Sequence, residues 1–88
     1  MSKKIIFSSH ALLRMKERFI SERLAVEAIH NPDKIEKSDQ INARVLIKKI
    51  YFNKIIEKNH LLMAICEIFP EKIEVITIID TSKISKYF

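Results

Sequence analysis

The stretch LLMAICEIFPEKIEVITII, residues 61–79, contains two long apolar runs with a short break between them. The runs at 61–69 and 73–79 are rich in β-branched residues, which is typical of strands. Only the three residues Pro70, Glu71 and Lys72 separate them, and so short a connection requires two antiparallel neighbours. The stretch therefore predicts a β-hairpin near the end of the chain.

Both runs are apolar at nearly every position instead of alternating with polar residues. In an antiparallel sheet this pattern indicates that both faces are covered. Two short helices can cover one face, which leaves the other for the chain's own tail, a second copy or another protein. We therefore expect a partner on the open sheet face, as a homodimer or as a heterocomplex.

The first third of the chain has helical spacing. Ser8 or Ser9 is a natural N-cap, and apolar residues then recur at helical intervals. Ser21 is a second N-cap, and the helix that it begins ends before Pro32. The apolar positions are Leu12, Met15 and Phe19 in the first helix, and Leu24, Ala25, Ala28 and Ile29 in the second. The pattern predicts a helical hairpin.

Residues 34–37 form a weak strand pattern and residues 44–52 (RVLIKKIYF) a strong one. Between Asn53 and Asn59 the pattern does not show where strand ends and turn begins. The expected fold class is α+β, an N-terminal two-helix hairpin packed on an antiparallel sheet of three to four strands. A chain of 88 residues has room for one domain, 1–88.

Composition narrows the class of protein. Hydrophobic residues make up 48% of the chain and charged residues 31%, which is typical of a compact domain. The single Cys66 lies in an apolar run and cannot form an internal disulfide. No stretch is long enough for a signal-peptide core or for the roughly 18 apolar residues of a membrane span. We expect a cytoplasmic protein with no membrane association.

The net charge is +5, which favours an anionic partner such as nucleic acid, although a solvated Lys-rich surface explains the same charge. More specific is the spacing of His10, Arg14 and Arg18, which places one imidazole and two guanidiniums in a column on one helix face. Guanidiniums suit phosphate, and imidazoles transfer protons near neutral pH. The alternative is a solvated face on which the arginines pair with Glu17 or Glu22.

The C-terminal segment carries Lys83, Lys86 and Tyr87, a basic and aromatic set that suits phosphate and base stacking. The alternative is an ordinary chain end that packs on the sheet. Metal and cofactor sites are not expected. His10, His30, His60 and Cys66 lack metal-ligand spacing, and a chain without glycine has no Gly-rich phosphate loop.

Three segments together resemble a small prokaryotic family described only as a domain of unknown function. They are SSHALLRMKERFIS at 8–21, AIHNP at 28–32 and TSKISKY at 81–87. That family is grouped with the RelE/ParE toxin superfamily and is similar to BrnT-type toxins. The resemblance implies a RelE/ParE-like fold and a toxin that a cognate antitoxin neutralises. It also implies an RNA substrate, free or on the ribosome, and metal-independent cleavage.

The resemblance also implies roles for individual residues. His10 and Tyr87 would be catalytic, and Arg14, Arg18 and Lys83 would hold phosphate, together with Lys86 from the basic tail. We therefore expect the tail to return over the helical hairpin, with the Tyr87 hydroxyl within a few ångströms of Arg14 or His10. The alternative is a non-catalytic binding module, either a ParE-like toxin that targets a protein or a domesticated relative.

Overall fold

A computed structural model describes residues 3–38, 40 and 43–88 of the chain. These residues form a mixed five-stranded sheet and three short helices. In chain order the elements are β1 (Lys4–Phe7), α1 (Ser9–Glu17), α2 (Glu22–His30), β2 (Lys34–Lys37), β3 (Arg44–Asn53), β4 (Lys58–Ile68), β5 (Lys72–Thr81) and α3 (Ile84–Tyr87).

The strands lie in the order β1-β5-β4-β3-β2. The predicted hairpin is confirmed, because β4 and β5 pair antiparallel and are connected by the short turn at residues 69–71. Their register shifts between Ile65 and Cys66, which pair with Thr77 and Val75. The shift leaves Ile76 as the extra residue of a β-bulge, where strands typically bend. The bulge lies beside the point where β1 stops pairing with β5.

The first strand, β1, runs parallel to β5 and ends where Phe7 pairs with Val75. The next residue, Ser8, donates its backbone N–H to the Val75 carbonyl at 3.0 Å and its hydroxyl to the Ile76 carbonyl at 2.7 Å. The same hydroxyl caps α1 by accepting from Ala11 N–H at 3.0 Å. One serine therefore ends the strand and starts the helix, and α1 continues along the rest of β5.

One face of the sheet carries the main core, to which both longer helices contribute. Helix α1 lies against β5 and β1, whereas α2 lies against β3 and β4. The buried core residues are Ala11, Met15, Ile20, Ala25, Ala28, Ile29, Val45, Ile47, Leu62, Ala64, Cys66, Val75 and Ile78. Burial raises the pKa of the Cys66 thiol to about 12, so this thiol stays protonated and behaves as a small apolar side chain.

The predicted fold architecture is wrong. The sheet has five strands instead of three or four, and the edge strand β1 is parallel to its neighbour. The helices follow β1 and do not pack on the sheet as one N-terminal hairpin, because each lies on different strands. The physical reason is Ser8: its bonds to Val75 and Ile76 hold α1 at the β5 end of the sheet.

The opposite face of the sheet is partly covered by the end of the chain. Helix α3 lies against β4, on which Leu61 and Met63 are buried. Lys48 pairs with Met63 across the strands, is only 5% exposed, and donates to the carbonyls of Tyr87 and Phe88. Its ammonium also lies 3.1 Å from Glu36 Oε1. A buried ammonium needs such acceptors, so Lys48 holds the tail on this face.

None of the helices formed by the described residues is long and apolar enough to cross a membrane.

Candidate functional site

A cleft of about 340 Å³ lies between α1 and the second half of β5. Its lining residues are His10 and Arg14 from α1, Arg18 from the C-cap of that helix, and Thr77, Ile78, Ile79 and Asp80 from β5. The column predicted from the sequence therefore lines one cleft. The cleft exists because β1 stops pairing at Val75, so that a helix instead of a strand borders β5 from there on.

The two arginines of the cleft are available to an anion. Arg14 lies 3.5 Å from Glu17, and both side chains are about half exposed, so this ion pair is weak. Within residues 3–38, 40 and 43–88, Arg18 has no carboxylate within ion-pair distance. The alternative was that both arginines form ion pairs with Glu17 or Glu22. Arg14 forms one such pair, which is weak, and Arg18 forms none among these residues.

Asp80 contributes a carboxylate to the cleft and is tied into a buried network. Its Oδ1 accepts from the Tyr51 hydroxyl at 2.7 Å, and its Oδ2 lies 3.0 Å from His60 Nδ1. The side chain of Asp80 is 7% exposed. Because a carboxylate only accepts hydrogen bonds, Nδ1 of His60 carries the proton in this pair. The carboxylate is therefore held in place by donors on two other strands.

Burial, and then the hydrogen bond to Asp80, raise the pKa of Tyr51 well above its usual value. This phenol therefore holds its proton and supports Asp80 without exchanging protons near neutral pH. The Tyr51 and His60 rings meet edge to face, with centroids 6.2 Å apart. Nε2 of His60 is buried and has no hydrogen-bond partner among the described residues.

Tyr51, His60 and Asp80 were missed in the sequence because each stands alone in its own segment. The register brings them together: Tyr51 pairs with His60, and Asp80 pairs with Leu62, two residues further along β4. The missing information was the turn after Asn53, which the structure places at residues 54–57. Asn53 Oδ1 accepts from the N–H of Ile55 at 3.0 Å, as an Asx turn does.

The predicted position of the tail is wrong. Tyr87 lies with α3 on the sheet face opposite to α1, where its carbonyl accepts from Lys48. Its ring lies 5.3 Å from the ammonium of Lys86, and Lys83 N–H donates to Thr81 Oγ1 at 3.1 Å. The tail residues Lys83, Lys86 and Tyr87 are therefore not in the cleft with His10, Arg14 and Arg18. The buried Lys48 directs the tail to the other face.

A larger groove of about 860 Å³ runs along α2, with Phe52 and Lys54 on its other side. Its two carboxylates are matched by two basic side chains, Arg23 and Lys54. The smaller cleft has two guanidiniums and only one carboxylate, that of Asp80, so its charge favours an anion more and it is the better candidate site. In the described part of the chain, no group of three or more His, Cys, Asp or Glu residues is placed to hold a metal ion.

The chain belongs to the DUF4258 family, a domain of unknown function, because the family's sequence model matches residues 7–80. This match includes every residue that lines the cleft and ends before Lys83. Comparisons with curated proteins and with solved structures found no match. The family assignment is thus confirmed in its coarse form, whereas no comparison links the chain to the RelE/ParE superfamily.

Proposed function

We propose that the protein binds the phosphate backbone of RNA in the cleft between α1 and β5. The observation that carries this proposal is the shared cleft of His10, Arg14 and Arg18. Its volume, about 340 Å³, lies at the small end of ligand sites, which suits one phosphate and its sugar. The excess of positive charge on the chain, +5, adds long-range attraction for a polyanion.

The chemistry of the cleft favours phosphate over other anions. A guanidinium offers a planar fork of donors that matches two phosphate oxygens, and two such groups lie one helical turn apart. The choice of RNA over DNA rests only on the resemblance of the chain to a family that is itself similar to toxins that cleave RNA.

Binding is tested with a fluorescein-labelled single-stranded RNA that carries 2′-O-methyl groups, which prevent cleavage. Arg14→Ala and Arg18→Ala should each weaken binding and reduce the slope of log K against log salt by about one phosphate contact. Lys86→Ala is the matched control, because it removes one positive charge on the opposite face and should change binding less. Arginine variants that bind like the wild type, or like Lys86→Ala, would overturn the proposal.

Metal-independent cleavage of the bound RNA is a second candidate, favoured by His10 beside the two arginines. The ribose 2′-oxygen would attack the adjacent phosphorus while His10 takes its proton, and the P–O5′ bond would break. The leaving 5′-oxygen would take a proton from the imidazolium or from water, leaving a 2′,3′-cyclic phosphate and a 5′-hydroxyl. Arg14 and Arg18 would stabilise the charge on the phosphorus oxygens.

We rank binding as the first proposal and cleavage as the second, because the cleft offers few groups for proton transfer. Tyr87, the other expected catalytic residue, lies on the opposite face, and Tyr51 holds its proton. Cleavage is tested by incubating unmodified RNA with the protein in EDTA and identifying the ends. His10→Gln should abolish cleavage and keep binding. If the RNA stays intact with the wild-type protein, cleavage is excluded and the non-catalytic binding module is the remaining interpretation.

We extend the proposal to a toxin of a toxin–antitoxin pair, with RNA free or on the ribosome as its target. A partner, either an antitoxin or a second copy, would use the sheet face that α3 leaves open, where Ile6 and Ile79 are exposed. Induced expression should stop growth and degrade RNA together, and sedimentation should report a dimer if a second copy covers the face. Growth arrest with intact RNA would favour the ParE-like alternative, a toxin that targets a protein.

A further inference from the structure

Helix α1 ends in a backbone conformation that favours glycine, yet the residue there is Phe19. Its φ is 57°, in the left-handed region. The N–H of Ile20 donates to the Met15 carbonyl at 2.8 Å, and that of Phe19 to the Lys16 carbonyl at 3.4 Å. This is the Schellman pattern, in which glycine commonly occupies the left-handed position. A phenylalanine there costs conformational free energy that glycine would not.

The side chain of Phe19 adds little packing to the fold that would offset this cost. It is 83% exposed, the most exposed of the large apolar side chains in the described residues. The neighbouring Ile20 is buried and supplies the apolar contact that usually accompanies this cap. A strained and exposed aromatic ring is therefore not explained by packing, and contact with another molecule would explain it.

Phe19 stands at one end of the cationic column. It follows Arg18 directly, and consecutive Cα atoms are about 3.8 Å apart. Arg18 lines the cleft and Phe19 does not, but a nucleotide extends several ångströms beyond its phosphate, a span that can include the residue next to Arg18 in the chain. Proteins that bind single strands commonly combine a positive groove for the backbone with aromatic rings on which unpaired bases stack.

We propose that Phe19 is a stacking platform for an unpaired base of the strand whose phosphate Arg14 and Arg18 hold. This inference rests on the proposed RNA binding and names the substrate class, single-stranded RNA with exposed bases. A duplex would not fit this mode of binding, because its bases are already stacked and paired. Stacking on Phe19 requires a base but adds little sequence preference to RNA binding, since every base has an aromatic face.

The experiment pairs a protein variant with a change in the ligand. Phe19→Gly removes the ring and suits the left-handed backbone, so it should melt at the same temperature as the wild type or higher. Its affinity for a 2′-O-methyl uridine decamer should fall about tenfold or more. For a matched abasic strand, Phe19→Gly and the wild type should bind equally, and Phe19→Trp should restore tight binding of the decamer. Phe52→Leu, which changes an exposed aromatic outside the cleft, is the control and should leave both affinities unchanged.

The outcomes separate the two proposals. If the wild type binds neither strand, the proposed RNA binding itself fails. If the wild type binds the decamer, and Phe19→Gly binds each strand with the same affinity as the wild type does, the stacking inference alone is overturned. A loss of affinity for the abasic strand would also overturn it, because the effect would then not depend on bases. A change in oligomeric state of Phe19→Gly would assign the ring to a protein contact instead.

Discussion

The Tyr51 hydroxyl on β3 donates to Asp80 on β5 at 2.7 Å, although β4 lies between these two strands. His60 on β4 binds the other carboxylate oxygen at 3.0 Å. One carboxylate therefore joins three neighbouring strands at the end of the sheet that carries the cleft. A buried carboxylate of this kind is costly unless its donors are kept, so the network makes the position of Asp80 sensitive to single changes.

Tyr51→Phe should lower the free energy of unfolding by about 1–3 kcal/mol, because it leaves one oxygen of a buried carboxylate without its donor. Urea unfolding at neutral pH measures this change. Tyr87→Phe is the matched control: among the described residues the Tyr87 hydroxyl has no hydrogen-bond partner, and its removal should change stability little. Equal stability of the two variants would show that the Tyr51 hydroxyl gains nothing from Asp80.

The same hydrogen bond predicts a dependence on alkaline pH. The pKa of Tyr51 is raised in the folded protein, so the folded state keeps a proton that the unfolded chain releases above about pH 10. This contribution to stability is complete below pH 10 and is lost as the pH rises towards the folded pKa. Wild-type protein should therefore lose stability more steeply above pH 10 than Tyr51→Phe.

The buried Cys66, whose pKa is raised to about 12, adds a similar loss of stability at high pH. That loss is common to both proteins, so the difference between their stability curves isolates the tyrosine. Parallel curves for Tyr51→Phe and the wild type up to pH 11 would contradict the prediction.

The two N-cap serines provide a second comparison. Ser8→Ala should destabilise the protein by about 1–2 kcal/mol, since the Ser8 hydroxyl both caps α1 and donates to the Ile76 carbonyl. Ser21→Ala removes only an exposed cap on Leu24 N–H and should cost less, about 0.5–1 kcal/mol. Thermal unfolding of the two variants measures the difference. If Ser21→Ala were the more damaging, the bond between Ser8 and Ile76 would not be holding α1 to the sheet.

The sequence predicted those parts of the fold that local patterns specify. Ser8 and Ser21 cap the helices, and the short break, predicted at 70–72 and found at 69–71, sets the antiparallel pairing of β4 with β5. The partner of Lys4–Phe7 could not be found this way, because it lies in β5, at the other end of the chain. A four-residue strand that pairs in parallel with a distant strand is not followed by a hairpin turn, so no local sequence pattern identifies its partner.

The candidate site divides in the same way. The column of His10, Arg14 and Arg18 follows from helical spacing and needs no tertiary information. Asp80 joins it only through strand register, which depends on the turn after Asn53 and on the bulge at Ile65 and Cys66. The position of the tail was mispredicted because a buried lysine, Lys48, could not be recognised among the exposed ones.

The last prediction concerns that lysine. Lys48→Met keeps the aliphatic stem but removes the donor to the carbonyls of Tyr87 and Phe88. Helix α3 should then detach, and the amide of Phe88, which donates to the Ile84 carbonyl at 2.8 Å, should exchange with solvent faster. Detachment would also expose Leu61 and Met63, so the variant should bind a hydrophobic dye more strongly.

Glu36 reports on the same contact from the other side. Its hydrogen bond to Lys48 is the largest cause of its lowered pKa, and Lys34 contributes less. In Lys48→Met the pKa of Glu36 should rise towards its usual value, as an NMR titration would show, whereas Lys34→Met should move it less. Lys34 is more exposed than Lys48 and donates to the Phe88 carbonyl at 2.7 Å, so its loss should also loosen the tail less. A Lys48→Met protein whose Phe88 amide is as protected as in the wild type would show that packing, and not the buried ammonium, holds α3 on the sheet.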